Sequence, residues 1–108
     1  MKTVNRGYIL VEPLQPFCDW AKQYDEDFDF DENDDIEGSV YLIDEDFFEI
    51  EPILEQNFKK IIINECEAVT DNEANWPKPS LELLLTWFRV RVGGTVFDTQ
   101  KSDLVAEE

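Results

Sequence analysis

The stretch EPILEQNFKKIIINECEAVTDNEANWPKPSLELLLTWFRVRVGGTVF, Glu51 to Phe97, decides the fold. Starting one residue ahead of it, Ile50, Ile53, Leu54, Phe58, Ile61, Ile62, Cys66 and Val69 recur at steps of three and four. That spacing places them on one face of a helix of about five turns. Glu51, Glu55, Lys59, Lys60 and Glu67 fall largely on the other face, and Glu55 precedes Lys59 in the order that supports a helix. Such a helix needs an apolar surface to lie on. Further along, Leu81, Leu84, Leu85 and Phe88 form a second stripe, which Leu83 and Trp87 widen almost all round, the pattern of a core helix. Between the two, Thr70-Asp71-Asn72-Glu73 reads as a capping box opening a short turn. Pro77 and Pro79 stop that turn, and Ser80 is placed to cap the next helix. Trp76 at this corner is expected to pack over the junction of the two helices, with ligand stacking as the alternative.

After the leucine-rich segment, Val90, Val92, Gly94 and Val96 alternate with Arg89, Arg91, Gly93 and Thr95. Two readings compete. Gly93-Gly94 is either the turn of a hairpin, which sets Arg89 opposite Asp98, or a bend or bulge in one strand. The continuous strand is favoured, because the alternation keeps its phase across the glycines. From Thr99 to Glu108 the chain is polar and expected to fray.

Upstream, Val4 to Val11 is aromatic and β-branched and ends at Pro13 and Pro16, as a strand running into a turn does. Phe17, Trp20, Ala21 and Tyr24 then share one side of a two-turn helix. Between Asp25 and Glu37 nine of thirteen residues are acidic and only Phe28, Phe30 and Ile36 are apolar. Like charges this dense do not pack together, so the segment is expected to be a solvated loop, free to move. Ser39-Val40-Tyr41-Leu42-Ile43 reads as a strand, buried on both faces if it is central. Asp44-Glu45-Asp46 ends it and suits the N-terminus of the long helix.

The expected fold is therefore α+β: a small, mainly antiparallel sheet of about three strands, covered by two or three helices, one of them long. With 108 residues the chain has room for one domain, assigned to residues 1–98, which can bury about 65% of its extended surface. No run of apolar residues suggests a leader or a membrane span. Cys18 and Cys66 are far apart and there is no His, which argues against a zinc site and a redox pair and for a reduced, cytoplasmic setting.

Charge is the unusual feature, since 26 acidic against 9 basic residues leave a net charge of −17. Nucleic acid and anionic membranes are repelled by such a surface, whereas a basic protein is steered towards it. Enzymatic activity is not expected: without His the commonest general base is missing, and one dense acidic run offers its carboxylates a single shared environment. A carboxylate-based enzyme remains the least favoured alternative. No cofactor-binding motif is present. Weak divalent-cation binding is a further alternative, with Asp29, Asp31 and Asn33 as its only candidates. They match the first positions of an EF-hand loop, but Asp34 stands where that loop turns on Gly and Val40 where it ends in a bidentate Glu. The candidate partner-binding residues are Asp25, Asp27, Phe28, Asp29, Phe30, Asp31 and Trp76, in which carboxylates steer and aromatic rings anchor.

Tyr41-Leu42-Ile43 before an acidic long helix, Glu65 and Glu67, Thr70-Asp71 with Glu73, Trp76-Pro77, Trp87-Phe88 and Val96-Phe97-Asp98 form a combined pattern. It resembles a family of small acidic bacterial proteins with no established activity, over about Phe17 to Asp98. The resemblance implies a bacterial cytosolic protein and implies no chemistry. Its members do not need glycines at Gly93-Gly94, which also favours the continuous strand. Together these readings lead to the expectation of a non-enzymatic protein that binds a basic partner as an inhibitor, an immunity-like protein or a DNA mimic.

Overall fold

Gly7–Pro13 is the strand on which the sheet is built, because Gly7, Ile9 and Val11 are buried on one of its faces while Tyr8, Leu10 and Glu12 are half-buried on the other. In the computed structural model, which describes residues 1–107, the order is β1 (Lys2–Val4), β2 (Gly7–Pro13), α1 (Gln15–Lys22), β3 (Ser39–Ile43), α2 (Ile50–Glu67), α3 (Leu81–Trp87), β4 (Phe88–Gly93) and β5 (Val96–Asp98). A single 3-10 turn, Glu73–Asn75, precedes α3. The fold is α+β, as the hydrophobic periods require.

β2 pairs antiparallel with β3 on one side, Ile9 opposite Tyr41, and with β4 on the other, Ile9 opposite Val92. β1 and β5 form a second antiparallel pair, with Val4 opposite Val96. Between the pairs Val4–Val96 and Tyr8–Gly93, Asn5, Arg6 and Gly7 on one strand face only Gly94 and Thr95 on the other. The pairing is interrupted there, so the two ladders are separate sheets and the chain bends at Asn5 and at Gly94. Lys2, not Arg89, lies opposite Asp98, so Gly93-Gly94 is not a hairpin turn; the expected continuous strand is instead broken at Gly94-Thr95 into β4 and β5, which lie in different sheets. Gly93 also leaves room for the Tyr8 ring, which a Cβ there would meet at 2.4 Å.

The core lies between the inner face of this sheet and the helices. Ile9 and Val11 meet Phe17 and Ala21 of α1, Ile61, Ile62 and Cys66 of α2, and Leu84 of α3 in one apolar cluster. Phe17 is its aromatic centre, with ring centroids 4.9 Å from Phe88, 5.7 Å from Trp20 and 5.8 Å from Trp87. Ser80 Oγ accepts from the Leu83 amide at 3.0 Å and caps α3. α3 then passes into β4 without a loop: Phe88 is extended, and the Leu14 amide donates to the Trp87 carbonyl at 2.8 Å, locking the corner.

Several expectations are corrected. β3 is an edge strand, not a central one, because β2 occupies the centre; only Ile43 is fully buried, while Val40 and Leu42 are 61% and 51% exposed. The leucine-rich segment contributes a seven-residue helix with Leu84 alone buried, and Leu85 is half in solvent. Leu81, Leu83 and Trp87 pack partly buried against the core, and Phe88, the end of the expected stripe, belongs to β4. Ile50 is exposed at the start of α2. The capping box does not form: Thr70 Oγ1 accepts from the Asn72 amide, and Asn72 Oδ1 caps the turn through the Ala74 amide. Residues 99–107 carry no helix or strand, and Glu108, the end of the expected tail, lies outside the described residues. The Lys2 ammonium holds part of this tail, donating to the Lys101 and Ser102 carbonyls at 3.2 and 3.1 Å.

Candidate functional site

The acidic segment from Asp25 to Glu37 forms no helix or strand, yet it is anchored at several points. Phe28 meets Phe17 edge-on at 6.2 Å and Phe30 meets Phe28 at 5.4 Å, so a row of rings runs from the core out to Phe30, which is 45% exposed. Further along, the Glu32 carboxylate accepts from the Gln15 amide at 2.8 Å and its own amide donates to the Gln15 side chain at 3.2 Å. This carboxylate lies at the N-terminus of α1, where Leu14 supplies no side-chain cap and the helix dipole favours negative charge. Asp31 accepts from the Asn33 amide at 2.9 Å, and Asp34 accepts from the Asp31 amide at 2.8 Å. Asp25 accepts from the Asp27 amide at 3.0 Å. Asp27 and Asp29 point into solvent, while Asp25 and Asp31 are half-buried.

Among the described residues no carboxylate of this segment has a cationic side chain within 4.0 Å; the ion pairs present involve Lys2 and Arg91. Arg89 lines a hollow together with Glu32, Asp34 and Asp35 without coming that close to any of them. Among the described residues no group of three or more Cys, Asp or Glu side chains is placed to hold a metal ion.

A second acidic segment follows β3. Asp44, Glu45, Asp46 and Glu49 are exposed, and between them Phe48 is fully exposed whereas Phe47 packs against the core. Asp44, Asp46, Phe47, Phe48, Glu49 and Pro52 line an open hollow of about 390 Å³. Its rim carries the carboxylates of Asp44, Asp46 and Glu49. The alternation of Phe47-Phe48 with carboxylates is visible in the sequence, but which of the two rings is free is not.

β3 itself joins the two segments. On its inner side the Tyr41 hydroxyl donates to Glu65 Oε2, Ser39 Oγ donates to Glu65 Oε1 at 3.2 Å, and Asn64 Nδ2 donates to the Tyr41 oxygen at 3.0 Å. Burial, and then the Glu65 carboxylate, push the Tyr41 phenol well above the usual tyrosine range. Such a phenol stays protonated at neutral pH and is held in place as a donor.

Trp76 is half-buried with its Nε1 donating to the Thr70 carbonyl at 2.8 Å. It lines a separate groove of about 420 Å³ with Lys59, Ile62, Cys66, Pro77 and Lys78, and is thus set apart from the hollows that the acidic segments line. Cys18 and Cys66 are free and buried; burial pushes the Cys66 thiol up to about 11 and raises Cys18 as well.

The class that these features define is a small α+β domain whose exposed surface is dominated by unpaired carboxylates, with free aromatic rings set among them. Comparison of the chain with known protein families, curated proteins and solved structures gives no match.

Proposed function

We propose that the chain is a non-enzymatic protein that binds a basic protein partner through its acidic surface, as an inhibitor, an immunity-like protein or a DNA mimic does. The observation that carries this reading is Phe48, fully exposed among Asp44, Asp46 and Glu49 at the rim of an apolar hollow. A phenylalanine left wholly in water gains nothing for the fold, and becomes favourable when a partner covers it. Carboxylates on the rim select a cationic partner and speed its encounter, while the ring prolongs the complex. Phe30, at the end of the row of rings, offers the same combination beside Asp29.

The test uses an immobilised arginine-rich peptide and compares the parent with Phe48→Ala and with Asp44→Asn plus Asp46→Asn. Phe48→Ala is expected mainly to speed dissociation. The asparagine variant is expected mainly to slow association and to flatten its salt dependence. Binding by the parent that does not weaken between about 0.05 and 0.3 M salt would rule the reading out, because screening must weaken a charge-steered contact.

A further inference from the structure

We propose that the partner is engaged in extended form, adding a strand with basic ends to the free edge of β3; this rests on the acidic-surface reading above. The edge is open: β3 pairs only with β2, and among the described residues no other backbone group bonds to Ser39–Ile43. An edge strand presents a row of unpaired N–H and C=O groups, which proteins usually protect with lysine, proline or a bulge. Ser-Val-Tyr-Leu-Ile has none of these and carries no charge, and Val40 and Leu42 lie half or more in water beside the edge. The strand is held rigid from behind, since Ser39 and Tyr41 are both bonded to Glu65 of α2. A template fixed in this way loses little freedom when a strand is added to it.

The flanks identify the occupant. Asp34, Asp35 and Glu37 stand exposed before β3, and Asp44, Glu45 and Asp46 stand exposed after it. A second copy of this chain would bring acidic flank against acidic flank whether the two strands ran parallel or antiparallel. Such like-charge contacts oppose self-pairing. A segment of about five paired residues, spanning roughly 17 Å, with lysine or arginine at both ends, instead meets opposite charge at each end. At one end its cationic side chain also reaches the hollow that Phe48 rims. Alternate side chains of the added strand would lie beside Val40 and Leu42, so β-branched residues suit it.

The experiment uses the full chain and a synthetic peptide of five alternating valine and threonine residues with two arginines at each end. Two further forms of the peptide are methylated on alternate backbone nitrogens, one form for each edge. The expected result is binding of the parent peptide, a loss of at least tenfold for one methylated form but not the other, and slowed amide exchange at alternate residues of Ser39–Ile43. Salt-sensitive binding that both methylated forms reproduce, with β3 exchange unchanged, would overturn strand addition and leave the acidic-surface reading standing. No binding of any form at low salt would overturn both. Protection of the β3 amides in the protein alone, rising with its concentration, would show a second copy on the edge and overturn the proposal.

Discussion

The Tyr41 hydroxyl donates to the Glu65 carboxylate across the gap between β3 and α2, and this bond fixes the edge strand to the long helix. The bond requires a neutral phenol. Because the folded-state value of Tyr41 lies above the usual tyrosine value of about 10, its contribution is fully present below that pH and is lost as pH rises beyond it. Tyr41→Phe is expected to lower stability by about 1.5 to 3 kcal/mol at neutral pH, the worth of a hydrogen bond to a charged group. It should also flatten the alkaline decline. Urea unfolding of both proteins at neutral and alkaline pH checks this, and an equal decline in the two would clear Tyr41 of the effect.

Leu84 and Leu85 are adjacent in sequence and opposite in consequence. Leu84 has no exposed surface and Leu85 is half in solvent. Leu84→Ala should therefore cost about 2 to 5 kcal/mol, through lost burial and a residual cavity. Leu85→Ala should cost under about 1 kcal/mol. Chemical denaturation of the two variants measures the contrast, and similar losses would mean that α3 does not bury Leu84 in preference to Leu85.

A net charge of −17 with so few ion pairs leaves most carboxylates repelling one another. The melting temperature is expected to rise between about 0.01 and 0.3 M sodium chloride, as the Debye length shrinks from about 30 Å to below about 10 Å. Asp27→Asn, at an exposed carboxylate, should leave stability unchanged or raise it slightly. A melting temperature that stays flat would mean that counterions are already bound tightly.

Cys18 and Cys66 should be silent towards a disulfide reagent in the folded protein at neutral pH, since the reacting species is the thiolate and burial disfavours it at both. Both should react at once in urea. Labelling kinetics followed by mass spectrometry decide this; rapid modification of native Cys66 would require an opening at the floor of the Trp76 groove.

The long helix and the arginine–valine strand were legible because their periods, 3.6 and 2, are written in local spacing. The place of β3 was not, since its apolar run left open whether it is central. Strand order depends on which segment lies between which others, and β2 takes the centre because it can bury one face fully and half-bury the other. The capping box failed for a local reason: the chain turns two residues later, with Asn72 in place of Thr70 as the cap. In the candidate site, the density of carboxylates and the interleaved rings were plain. Which rings remain free was decided by Phe17, whose packing draws Phe28 inward and leaves Phe30 at the surface.

By itself the sequence determined the α+β class, the long helix and the acidic loop. These follow from composition and from neighbours along the chain. Only the tertiary structure decided that β3 is an open edge, that Phe48 stands free while Phe47 packs, and that Glu65 reaches Tyr41 from α2. Each depends on contacts between segments distant in sequence, and such contacts are selected by how the whole set of apolar faces can be buried at once.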